Sequence, residues 1–163
     1  MQPSHYDLNV QILYVVVVAY FAVSISIEDL RIHKIRNRKL IYLSSSLMIF
    51  SVLLPGARVD LITGFFFFTI FTFLFFLSNA FHKSGGIGFG DIKLIAVLAF
   101  AFFDTGLRSL EIFFISLWLA LVGHICLHLL IYRKFPYRIA MAPNIFFASG
   151  LYLYAPIALL LPQ

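Results

Sequence analysis

From Leu8 to Ile27 the chain runs for 20 residues without a charged side chain. About 20 apolar residues in a helix cross the hydrocarbon core of a bilayer. No water reaches backbone groups at that depth, so they must satisfy one another, which a helix does within itself. Further apolar segments fall at about 39–54, 61–81, 91–103, 112–132 and 139–161. The expectation is an all-α integral membrane protein, a bundle of six transmembrane helices forming a single polytopic domain over residues 1–163. Mean hydropathy is +0.99. Charged residues make up 12%, against about 25% in soluble domains, which leaves almost no mass outside the membrane. The first ten residues, MQPSHYDLNV, hold Asp7 and no Lys or Arg. They lack the positive n-region of a secretory signal, and the apolar run that follows is long enough to span.

The basic residues give a direction. Arg31, Lys34, Arg36, Arg38, Lys39, Lys83, Lys93, Arg133, Lys134 and Arg138 fall in or beside alternate connectors. The other connectors hold Arg58 and Arg108. The positive-inside rule makes the crowded side cytoplasmic and puts both termini on the outer side. The net charge of +5 therefore reads as a topology signal with lipid-headgroup contact, and nucleic acid is not an expected partner. Cys126 is the one cysteine, so neither an internal disulfide nor a Cys-based zinc module is possible.

The fourth segment is short. Ile92 to Phe103 gives about 18 Å of helical rise against a core of roughly 30 Å. To span, it must begin near residue 84, which draws 84–90 into the membrane and sets Asp91 below the surface. Glycine-rich backbone at that depth must be buried in protein or line a wet cavity. Gly88 and Gly90 are expected to take a positive φ or to meet another backbone closely. Gly90, directly before Asp91, is expected to be the more sensitive of the two.

An ionisable residue inside a membrane is a functional candidate. Asp29 follows the first span in SISIEDLRIHKIRN, and Asp91 opens the fourth in GGIGFGDIKL. On the expected topology both stand at one membrane face. Two carboxylates at close range share a proton, so one acts as base and the other as acid. The plainer alternatives are an interfacial Asp29 paired with Arg31 or Lys34, and an Asp91 that caps a helix or pairs with Lys93. Lys93, two positions on, faces another way on a helix and is read as snorkelling to the interface. His124 and His128 share a helical face and are expected to make interhelical hydrogen bonds rather than hold a metal. Ser24, Ser26 and Ser44 to Ser46 read as packing positions, as do Ala140, Ala142, Ala148, Ser149 and Gly150. Pro143 marks a kink or the true start of the last helix.

Asp29 and the run Gly88-Phe89-Gly90-Asp91 resemble the type IV prepilin peptidase family, membrane aspartyl proteases with a GxGD signature. Ile92-Lys93-Leu94 looks like the family's continuation of that signature. Asp29-Leu30-Arg31 with Ile35-Arg36-Asn37 looks like its first-aspartate motif, with Arg36 where the family has proline. Ala142-Pro143 is similar to a late motif, with Ala140 where proline is common. The resemblance covers about residues 10–155. It implies Asp29 and Asp91 as the catalytic pair, Gly88, Gly90 and Lys93 as residues that shape the site, and no cofactor or metal. It implies removal of the basic leader from prepilin or pseudopilin precursors at the cytoplasmic face of the inner membrane. The missing Cys-x-x-C module is similar to the short branch associated with Flp/Tad pili, and archaeal preflagellin peptidases share the GxGD core. From other classes, a proton-coupled transporter or a non-catalytic pilus-assembly subunit would use the same buried aspartates.

Overall fold

The cluster of charges after Ile27 does not end the first helix. In the computed structural model, which describes residues 5–54, 57, 59–81, 88–136 and 138–154, α1 continues through it to Ile32. The described residues form six helices, α1 (His5–Ile32), α2 (Asn37–Leu53), α3 (Leu61–Phe81), α4 (Phe89–Phe102), α5 (Leu107–Tyr132) and α6 (Met141–Tyr154). There is no strand among the described residues. Asp29 therefore sits in the last turns of α1 and not in the connector beyond the span. His33 stops the helix in the left-handed region, with φ of 49°, and its N–H donates to the Asp29 carbonyl at 2.8 Å. The last segment, expected over 139–161, is helical over Met141–Tyr154, and residues 155–163 lie outside the described ones.

Among the described residues three segments are long and apolar enough to cross a membrane: Leu8–Ile32, Leu61–Ala80 and Leu107–Tyr132. The protein is a membrane protein on that evidence. α2 has 17 residues, and α4 and α6 have 14 each, which is short of the roughly 20 that a perpendicular crossing needs.

α4 lies in the middle and packs on α2, α3 and α6, while α6 also packs on α1 and α5. Lipid tails are as apolar as Leu, so hydrophobicity alone does not hold such helices together, and close packing must. Aromatic rings supply much of it. Phe103 lies 4.8 Å from Phe113, 5.2 Å from Phe67 and 4.4 Å from Tyr152, between ring centroids. Phe71 stacks on Phe114 at 5.1 Å. Pairs of this kind add about 0.5–1.5 kcal/mol each beyond burial.

A polar latch closes the end where α3 starts and α4 stops. Asp60 caps α3, accepting the Ile62 N–H at 2.9 Å and the Thr63 hydroxyl at 2.7 Å. The Thr105 hydroxyl donates to the same carboxylate at 3.0 Å, and the Asp60 N–H donates to the Phe100 carbonyl at 2.8 Å. Nearby, the Tyr152 hydroxyl accepts the Asp104 N–H at 3.2 Å and pairs with Ser109 Oγ at 2.8 Å. These bonds join α3, the α4–α5 connector, α5 and α6 at one end, and leave the other end to the aspartates.

Two outcomes follow from this packing. Phe113→Ala opens a void in the ring cluster and should lower stability by about 2–3 kcal/mol, read from thermal unfolding in detergent. The hydroxyl of Thr63, then the Ile62 amide, hold the Asp60 carboxyl below its usual range. A depressed carboxyl contributes stability above its ordinary value near ~4, and the contribution is lost as pH falls through the folded value. Wild type should therefore be more stable than Asp60→Asn at pH 6, and the gap between their melting temperatures should close on acidification below pH ~4. A gap that stays constant with pH would refute the assignment.

Candidate active site

The first turn of α6 explains why Asp29 tolerates its surroundings. The opening amides of a helix have no intrahelical acceptor, and Pro143, third in α6, has no N–H at all. The Ala142 N–H is one of the donors left over. Asp29 Oδ2 accepts it at 2.9 Å, across 113 residues of sequence, and Asp29 is only 4% exposed. Small side chains let the helix come this close: Ala140, Ala142 and Ala148 are all buried. The plainer alternative, a pairing of Asp29 with Arg31 or Lys34, is not what the structure forms.

Asp91 is third in α4 and 8% exposed. Its Oδ2 accepts the Gly88 N–H at 3.1 Å, while its own N–H donates to the Gly88 carbonyl at 3.0 Å. The carboxylate thus folds back over the start of its own helix, half of a capping box. Each aspartate has one oxygen fixed by a backbone amide. Among the described residues, Oδ1 of each accepts no protein hydrogen bond. The two stand at the same end of the molecule, near enough for the charge on Asp29 to act on Asp91.

The glycines serve this arrangement by leaving space, not by a positive φ. Gly88 has φ of −69° and ψ of 142°, an extended conformation open to any residue, and Gly90 is helical. Gly106 is the positive-φ glycine among the described residues. A Cβ on Gly88 would stand 2.8 Å from Asp91 Oδ2, inside contact distance. A Cβ on Gly90 would meet Ile35 Cβ at 3.2 Å, with the Ile35 N and O at 3.7 Å. Gly90 thus allows the start of α4 to abut the α1–α2 connector, the close backbone approach expected of it, while Gly88 keeps room for the carboxylate. Residues 84–87, expected to enter the membrane with 88–90, lie outside the described ones.

Lys93 turns away from both aspartates. Its Nζ donates to Asn37 Oδ1 at 3.0 Å and lies 5.0 Å from the Phe89 ring centroid, so it ties α4 to the start of α2. Glu28, beside Asp29 in sequence, is committed elsewhere, pairing with Arg36 at 2.5 Å and Lys39 at 2.6 Å. His124 makes the expected interhelical bond, its Nδ1 lying 3.1 Å from Asn144 Oδ1. Asn144 Nδ2 donates to the Ala140 carbonyl at 2.8 Å, which leaves Oδ1 to accept and puts the His124 proton on Nδ1. His128 departs from expectation: its Nδ1 faces the Lys134 carbonyl of the α5–α6 connector at 2.9 Å. Among the described residues no group of three or more His, Cys, Asp or Glu is placed to hold a metal.

The sequence reading missed two supports, Asn144 and the Ala142 amide. The polar Asn144 directly after Pro143 in an apolar run was a visible signal for the first. Nothing local announces the second, because a backbone amide carries no residue identity.

A model of the type IV leader peptidase family matches residues 16–127, more than half of the chain and both aspartates. The chain belongs to the type IV leader peptidase family. Neither the curated proteins nor the solved structures contain a match to it. The family match ends before α6, so the amide that holds Asp29 comes from beyond the matched segment.

For a leader peptidase of this geometry the two glycines should separate, in the reverse of the order expected from sequence. Gly88→Ala displaces only the end of the Asp91 side chain from its single backbone bond, so thermal stability should change little while leader cleavage falls at least ten-fold. Gly90→Ala gains up to about 1 kcal/mol of helix propensity and asks Ile35 to yield by a few tenths of an ångström. Its activity should fall less. Assays of cleavage and melting temperature on both variants decide the matter, and full activity in Gly88→Ala would overturn it.

Proposed function

We propose that the protein is an aspartyl endopeptidase that removes the leader from prepilin or pseudopilin precursors. The observation that carries this is the pair of buried carboxyls, Asp29 and Asp91, each pinned by one backbone amide, in a chain of a leader peptidase family. Two such groups share one proton. The ionised carboxyl takes a proton from a water, and the water oxygen attacks the scissile carbonyl carbon. The protonated carboxyl stabilises the developing oxyanion and then supplies the proton that the leaving amide nitrogen needs. The C–N bond breaks, and the products are a new carboxyl on the leader and a new amine on the mature chain. No metal or cofactor takes part.

The proposed setting is the inner membrane, crossed six times, with both termini outside and the dyad facing the cytoplasm. Arg31, Lys34, Arg36, Arg38, Lys39, Lys93, Arg133, Lys134 and Arg138 belong to the ends of helices and connectors that gather around the two aspartates, which supports that orientation. Gly88 and Gly90 shape the approach to Asp91, and Lys93 holds α4 against α2.

Co-expression with candidate prepilins, with leader removal read by mass, is the direct test. Asp29→Asn and Asp91→Asn should each reduce cleavage by at least a thousand-fold while the protein still accumulates in the membrane. Near-normal turnover in either would exclude the dyad. Cleavage should persist in detergent without any ion gradient, which a transporter's activity would not. Chelation with EDTA should leave the rate unchanged, and a loss restored by zinc would exclude the two-aspartate chemistry.

A further inference from the structure

A second charged feature lies along α1. A cavity of about 550 Å³ is lined by Tyr20, Val23, Ile27 and Arg31 of α1 together with Arg36 and Lys39. Tyr20, Ser24, Ile27 and Arg31 recur at helical spacing and so form one stripe. Tyr20, Val23 and Ile27 are exposed, on a segment apolar enough to cross a membrane and mostly uncovered by the rest of the protein. From Tyr20 to Arg31 the rise is about 16 Å, half of a hydrocarbon core of roughly 30 Å. The groove thus has the depth of one leaflet, with an apolar wall below and Arg31 at headgroup level.

The cations differ in what they have left to offer. Lys39 Nζ donates to the Ser24 carbonyl at 2.9 Å and to Ser24 Oγ at 2.8 Å, and pairs with Glu28 Oε2 at 2.6 Å. An ammonium has three donors, so Lys39 contributes charge and bracing. Arg36 pairs with Glu28 through Nε, and its side chain is 71% exposed, so an acceptor from outside the protein can reach its guanidinium. Arg31 is exposed and makes no ion pair with any described residue. One carboxylate therefore sets the position of Arg36 and Lys39 without neutralising the three cations together. A planar guanidinium with free donors is suited to phosphate oxygens.

We propose that this groove binds one anionic phospholipid, with its phosphate between Arg31 and Arg36 and an acyl chain along Tyr20, Val23 and Ile27. Charge complementarity favours an anionic headgroup over a zwitterionic one, and the apolar wall favours a lipid over a free anion.

Native mass spectrometry of the full-length protein in detergent tests this, with phosphatidylglycerol, phosphatidylcholine and inorganic phosphate added in turn. One phosphatidylglycerol should be retained, at least ten-fold more tightly than phosphatidylcholine, and inorganic phosphate should not displace it. Arg31→Gln should weaken retention at least ten-fold. Val23→Trp, which fills the apolar wall and leaves every charge in place, should do the same and covers the case in which the arginine variant fails to fold. Equal retention of the two lipids, or wild-type retention in both variants, would mean ordinary boundary lipid and overturn the site. Displacement by inorganic phosphate at matching concentration would mean a free-anion site and overturn the lipid.

Discussion

A carboxylate that leaves water must find hydrogen-bond donors, and this requirement organises the end of the molecule that matters. Asp29 meets it with the Ala142 amide and Asp91 with the Gly88 amide. Both donors are main-chain groups at or just before helix starts, where amides are left over by the geometry of the helix itself. The arrangement uses no basic side chain, although basic residues crowd the same end. A lysine or arginine placed against either aspartate would hold it as a charge and leave no proton to share. Backbone amides position the oxygens and still leave each Oδ1 to a substrate or a water.

The two ends of the fold divide the work. At the Asp60 end, hydroxyls and amides saturate the polar groups, and the ring cluster around Phe103 and Phe113 fills the space beneath them. At the aspartate end, contacts are made by small residues: glycine at 88 and 90, alanine at 140 and 142. Small residues let backbones approach and amides reach carboxylates. Rigid packing at one end thus supports a site at the other whose working oxygens are not consumed by the fold.

Much of this was legible in the residues, and what was not has a physical cause. Long uncharged runs announced the helices, since hydrocarbon permits few other structures. Asp29 and Asp91 stood out because a carboxylate among apolar residues is costly and rare. The end of α1 was misplaced because the charges of Glu28 and Arg31 suggested water, while a helix at a membrane boundary carries charges readily. Glu28 finds its cations beyond the helix, in Arg36 just before α2 and Lys39 within it. The role of the glycines was half legible. Their small size was evident, but a positive φ and a close neighbour both call for glycine, and sequence does not separate them. Only the position of Ile35 and of Asp91 Oδ2 does so.

The bond between Asp29 and Ala142 has a consequence for timing. A chain made from its N-terminus inserts α1 early and α6 last, so Asp29 waits through most of synthesis for its amide. Until the last helix docks, one half of the proposed dyad has no fixed position. A ribosome-bound or truncated chain that ends before residue 142 would hold both aspartates and still lack an ordered pair. Docking of α6 is in this sense an activation step, and a protease built this way does not start work half-made.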